Sequence, residues 1–107
     1  MNYTAPANVI GPQDYVSNVH VIYDGGEDSV SIARLDWEGR QVFAMRWNVA
    51  RREWDDPDKA SGSKVCIGMP SSRGHPVWFV LPDEMLNPDS EIWQQIRTAT
   101  RVTGASQ

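Results

Sequence analysis

The chain has 107 residues, a formal net charge of −4, and 22% charged against 40% apolar residues, enough apolar material for one packed domain and too little length for two. A single cysteine excludes an internally disulfide-stapled scaffold, and no apolar run approaches the roughly 20 residues of a membrane-spanning helix. The cations are eight Arg and two Lys, none before Arg34, so Asp14, Asp24, Glu27 and Asp28 place the whole net charge in the first third, a poor surface for gripping phosphate backbones.

Residues 1–15 carry Pro6, Gly11 and Pro12 without sustained periodicity and read as an irregular N-terminal arm. Met1–Asp14 lacks the basic and apolar regions of a secretory leader, so none is expected; with one thiol in the chain, the expected setting is a reducing cytoplasm. Val16–Tyr23 is rich in β-branched residues and runs into Asp24-Gly25-Gly26, a tight hairpin turn between two strands. In the return strand, residues 29–37, apolar positions are even at Val30 and Ile32 and odd at Ala33, Leu35 and Trp37. Strand side chains alternate with period two, so the change of phase predicts a β-bulge near Ile32–Ala33. Glu38-Gly39 makes the next turn, and residues 42–47 complete a three-stranded antiparallel meander.

Asn48–Ser63 holds seven charged residues around Trp54, with Pro57 and Gly62, and reads as a long charged loop of the kind that is often functional. A short strand over 64–67, a turn-rich stretch over 68–74, and an apolar strand over 77–81 follow. The last is apolar on both faces and is expected to be central and covered on both sides. Asn87 suits an N-cap, Pro88 the first helical position, and Asp89 and Glu91 the first turn. A helix over 88–100 follows, with Ile92, Trp93, Ile96 and Ala99 on one face. So short a helix is marginal in water, so that face is expected to dock on the sheet, contributing about 5 kcal/mol. Residues 101–107 read as a flexible tail. The fold class is mainly β (α+β): one domain over 1–107, with an approximately five-stranded curved antiparallel sheet or small open SH3-like barrel over 16–82 and one C-terminal helix.

Few constellations carry chemistry. Cys66 and His75 flank the turn between the last two expected strands and form the one Cys–His option, with a small core cysteine and a surface histidine as the ordinary alternative. Ser71 and Ser72 beside His75 fit turn chemistry better than a triad. Asp55, Asp56 and Asp58 lack the ligand spacing of a calcium loop and read as turn residues around Pro57. His20 has no second ligand at metal spacing. No metal and no cofactor is expected. Of five tryptophans, Trp47, Trp78 and Trp93 read as core, and Trp37 is ambiguous. Trp54 is either an anchor beside Arg51 and Arg52 or a lid over one barrel end; the lid carries the greater weight, an isolated exposed indole being uncommon.

The segments Tyr23-Asp24-Gly25-Gly26-Glu27, Arg46-Trp47-Asn48 and Ser72–Pro82 resemble those of small bacterial proteins of similar length and uncharacterised activity, over residues 16–86. The resemblance implies a bacterial cytoplasmic source and no activity, cofactor or catalytic residue. The expected function is therefore a non-catalytic module that binds a protein partner or itself as a homodimer, through Arg51, Arg52 and Trp54 of the long loop and Arg73 and His75 of the following turn. Nucleic acid and membrane are not expected as direct ligands. One alternative is a small acidic inhibitor, of mobile-element type, acting on a nucleic-acid-acting complex through residues 14–28; a further one is a minor thiol enzyme using Cys66 and His75.

Overall fold

The computed structural model describes residues 1–105, with side chains through Arg101. Three long strands form the expected meander: β1 (Val16–Asp24), β2 (Val30–Trp37) and β3 (Arg40–Trp47). β2 and β3 pair without a break, from Val30 opposite Trp47 to Trp37 opposite Arg40. Their two-residue turn takes positive φ at Glu38 (52°) and Gly39 (82°), the handedness that matches strand twist and that glycine adopts without strain.

The bulge expected in β2 lies across the ladder. The register of β1 against β2 shifts between Ser17 and His20 and again between Val21 and Tyr23, the latter opposite Ile32–Ala33. Each shift is one extra residue on β1. Ser31 explains why the pattern misleads. It is fully buried on the same face as Ala33 and Leu35, so the inward positions of β2 are odd throughout. Val30 and Ile32, whose apolar side chains suggested a change of phase, point to the opposite face.

A hairpin of β4 (Ser71–Ser72) and β5 (His75–Pro76) makes a separate two-stranded sheet, and β6 (Phe79–Val80) adds to the free side of β3. The molecule is mainly β, as expected, and its four-stranded sheet, in the order β1-β2-β3-β6, stays open. Two expected strands differ. Residues 77–81 are not a central strand: their paired part is the two-residue edge strand β6, where Phe79 is 57% exposed beside buried Trp78. Lys64–Ile67 is not a strand; instead Cys66 bridges in parallel to Tyr3 of the N-terminal arm. The Cys66 N–H donates to the Asn2 carbonyl at 2.8 Å, and its own carbonyl accepts the Thr4 N–H at 3.0 Å. The arm itself holds a 3-10 turn at Pro6–Asn8 and delivers Val9 to the interior.

On the inward face of the sheet Leu35 stands opposite Val42, Ala33 opposite Ala44, and Ser31 opposite Arg46. The first two rows join Val9, Val16 and Trp78 in a small apolar core, and the Trp78 indole N–H donates to the Val9 carbonyl at 2.7 Å. The third row is polar, and the chain from 48 to 70 folds over it. That chain is not structureless: it contains a 3-10 turn, Arg51–Asp55, and the four-residue helix α1 (Pro57–Ala60). Asp56 caps α1 by accepting the Asp58 N–H at 2.9 Å, so these carboxylates serve local turn structure.

Helix α2 spans Glu91–Ala105, so residues 101–105 of the expected tail are helical, while 106 and 107 lie outside the described residues. Asn87 accepts the Asp89 N–H at 3.0 Å one turn ahead of the helix. Among the described residues α2 makes no substantial contact with the sheet, contrary to the expected docking. Its substantial packing partner is the 3-10 turn Asp83–Leu86. The Trp93 indole N–H donates to the Met85 carbonyl at 2.8 Å, the Ser90 hydroxyl to the Glu84 carbonyl at 2.8 Å, and Arg97 to the Pro88 carbonyl at 2.8 Å. These bonds tie α2 to its own leader and leave Ile96 39% exposed. The radius of gyration, 15.8 Å, exceeds the about 13 Å of a compact domain of this length. Among the described residues no helix is long and apolar enough to cross a membrane.

Candidate functional site

Beyond the apolar core, four buried polar residues set the shape of the surface: Ser31, Arg46, Asn48 and Glu53. The Ser31 hydroxyl donates to Asn48 Oδ1 at 2.7 Å, and Asn48 Nδ2 donates to the Gly26 carbonyl at 2.8 Å and to Asp24 Oδ1 at 3.1 Å. The same Asp24 oxygen accepts the Tyr3 hydroxyl at 2.8 Å. Arg46 donates to the carbonyls of Ile67, Pro70 and Val77. Burial pulls its guanidinium down to about 10, against the opposing pull of Glu53, so it stays charged at neutral pH. Among the described residues no buried side-chain polar atom lacks a partner, the condition under which a polar interior is tolerated.

Glu53 is the knot of this layer. Oε1 accepts the Ala50 and Gly68 N–H groups, and Oε2 accepts the Ile67 N–H and the Lys59 ammonium, all at 2.8 Å. Burial pushes the carboxyl upward, but Lys59 and the three N–H groups outweigh it and hold it below its ordinary value. The same bond raises Lys59. Gly68 passes so close to the end of β3 that a Cβ would lie 2.1 Å from the Trp47 carbonyl oxygen, and its φ is +69°; glycine alone fits. Next to it, the Trp47 N–H donates to the Met69 carbonyl at 2.8 Å and the Met69 N–H returns to Trp47 at 3.1 Å.

These constraints bring together side chains that are far apart in sequence. Trp47, Val49, Trp54 and Met69 line a concavity of about 440 Å3, with Glu27, Asp28 and Arg51 among its charged residues. Trp47 is 48% exposed, Met69 45% and Trp54 39%. The five tryptophans divide by hydrogen bonding and stacking. Trp78 and Trp93 donate their N–H groups to carbonyls, and Trp37 stacks on Tyr15 at 5.3 Å between ring centroids. Among the described residues the indole N–H groups of Trp47 and Trp54 have no acceptor, and the side chains of Asp28 and Arg51 have no hydrogen bond or ion pair. Glu27 is occupied: its Oε2 takes the N-terminal ammonium of Met1 at 2.8 Å. The site therefore offers two indole faces, two free N–H donors, a carboxylate and a guanidinium over a rigid floor.

The residues singled out in the sequence fall into two places. Arg51 and Trp54 line the indole concavity, and Arg52 is exposed without lining it. Arg73 and His75 line a different concavity, of about 490 Å3, against Ile10, Pro12 and Val77. Of the three tryptophans read as core, Trp78 is buried, Trp93 is half-buried and Trp47 is exposed. Trp47 is the last residue of an alternating strand, where period two sets its face without saying whether anything covers it. Met69 had no periodic signal, because Gly68 brings it to Trp47 only in three dimensions. Cys66 is fully buried, and burial raises its thiol above the ordinary range. Its electrostatic neighbours are Glu53, Lys59, the N-terminus and Asp56, and not His75. Protein-family models, curated proteins and solved structures provide no match to this chain.

Proposed function

We propose that this protein is a non-catalytic binding module that seats a protein partner on the Trp47–Trp54 surface. The observation that carries this reading is the convergence of two exposed indoles with free N–H groups on one concavity, beside a backbone segment that buried Glu53 pins at Gly68. Tryptophan and arginine are the residue types that dominate interface energetics, because a rigid ring contributes large contact area at small entropic cost. A floor pinned by buried hydrogen bonds spares the partner the cost of ordering it. The resemblance of residues 16–86 to small bacterial proteins supports a bacterial cytoplasmic setting. The alternative of an acidic inhibitor draws less support, since Asp24 and Glu27 are taken up by internal contacts.

The test is crosslinking in cells of the source organism, with captured proteins identified for the wild type, Trp47→Ala, Trp54→Ala and a distant surface control, Arg40→Ala. A partner that is lost in both tryptophan variants, kept in the control, and lost with no change in the thermal midpoint supports the reading. A partner retained by both tryptophan variants refutes it.

A further inference from the structure

The concavity that Arg73 and His75 line, of about 490 Å3, lies where the N-terminal arm meets the β4–β5 hairpin. Backbone contacts pin both of its sides. The Trp78 N–H donates to the Gly11 carbonyl at 3.2 Å, and the Val77 N–H to the Pro70 carbonyl at 3.1 Å. Gly11 passes so near the hairpin that a Cβ would lie 2.7 Å from the Pro76 carbonyl oxygen. The hairpin turn takes positive φ at Arg73 (51°) and Gly74 (78°) and sets Ser72 opposite His75. Paired residues point the same way. The walls are therefore in place before any ligand arrives, which lowers the cost of binding.

Its chemistry is one-sided. None of the described residues that line it is acidic, on a chain where acidic residues outnumber basic ones by 14 to 10. Among the described residues the side chains of Arg73, His75 and Ser72 have no hydrogen bond or ion pair. Beside these donors stand Ile10, 52% exposed, and half-buried Pro12 and Val77. An apolar wall with a few polar groups is the usual make-up of a small-ligand site. We infer that this concavity binds an apolar carboxylate: a carboxylate on an aliphatic or aromatic body, held as a free acid or as the C-terminal residue of a peptide. The planar guanidinium of Arg73 matches a carboxylate with two parallel N–H bonds. The His75 ring offers an N–H in its neutral and charged forms alike, and the Ser72 hydroxyl adds another donor. The apolar body then covers Ile10, Pro12 and Val77. A phosphate group is a poorer match, since it carries about two negative charges at neutral pH against one permanent cation and leaves the apolar wall wet. This site is separate from the Trp47–Trp54 surface and does not rest on what that surface binds.

The experiment is titration of the isotope-labelled full chain with hydrocinnamate, followed in amide proton–nitrogen correlation spectra, which also show that each variant is folded. Saturable shifts are expected at Ile10, Gly11, Arg73, His75 and Val77, and none at Trp47 or Trp54. Hydrocinnamamide, the same body without the charge, binds at least about tenfold more weakly. Arg73→Asn, a residue that tolerates the positive φ, loses about tenfold or more, whereas Arg40→Ala, which removes an exposed cation elsewhere, binds like the wild type. Ile10→Ser binds severalfold more weakly, which ionic attraction alone does not produce. A tripeptide ending in Phe with a free carboxylate distinguishes the two sources. Affinity at least about tenfold above that of hydrocinnamate identifies a chain terminus; equal or lower affinity identifies the free acid. The proposal is overturned if millimolar acid and peptide give no saturable shifts at these residues, or if the amide binds as well as the acid. Arg73→Asn binding like the wild type, or inorganic phosphate binding the same residues more tightly than the acid, overturns it equally.

Discussion

Replacing Glu53 with Ala leaves three backbone N–H groups and the Lys59 ammonium without their acceptor, in a layer where the glutamate is only 2% exposed. An unsatisfied buried donor costs about 1–3 kcal/mol. Lys59, partly exposed, can turn to water, and water entering the void relieves part of the rest, so the net cost is about 3–4 kcal/mol. A domain of this length has roughly 5–15 kcal/mol to lose, and the midpoint falls by about 15 °C. Glu53→Gln keeps one acceptor oxygen but sets an NH2 group against the Ile67 N–H and Lys59, costing about 2 kcal/mol. Urea unfolding followed by tryptophan emission measures both. The pH dependence has a definite sign. The Glu53 carboxyl lies below its ordinary value of 4.5 in the folded protein, so its contribution is complete above that value and is lost as pH falls below it, through the folded-state pKa. The wild type therefore loses stability over that acid window, and the Gln variant lacks this component. A loss below about 1 kcal/mol for Glu53→Ala, or identical acid profiles for wild type and Gln, refutes the account of Glu53 as the knot of the polar layer.

Two other predictions follow from single close approaches. Gly68→Ala puts a methyl group against the carbonyls of Trp47 and Asn48 at a positive φ, and should destabilise by about 3 kcal/mol or more; a midpoint within a few degrees of wild type would contradict the geometry. The Cys66 thiol, buried and raised, should resist a thiol-specific chromophore at neutral pH in the native protein and react at once in denaturant; fast native reaction would show a thiolate that the structure does not provide.

Local backbone preference made much of the scaffold legible in the sequence. Asp24-Gly25-Gly26 and Glu38-Gly39 mark the turns because few residues tolerate their dihedral angles, and β-branched runs between them mark the strands. The C-terminal helix was legible from its acidic first turn and apolar spacing. Part of the candidate site was legible too: Trp54 stood out as an indole with no periodic reason to be buried, with Arg51 beside it.

What periodicity does not encode is which partner a side chain meets. Ser31 and Arg46 look like surface residues until Asn48 and the carbonyls of the 67–77 segment satisfy them, and that misreading produced the false phase change in β2. Trp47 alternates like a core residue but stays 48% exposed on the outer face of the sheet. The helix face was legible and its docking was not, because where α2 lies is decided by hydrogen bonds to the 84–88 leader. Sequence determined the turns, the strands and the existence of the helix, since these depend on neighbours along the chain. Tertiary structure alone decided which polar groups could be buried and which aromatic ones stayed outside, since that depends on donors and acceptors brought together from distant positions.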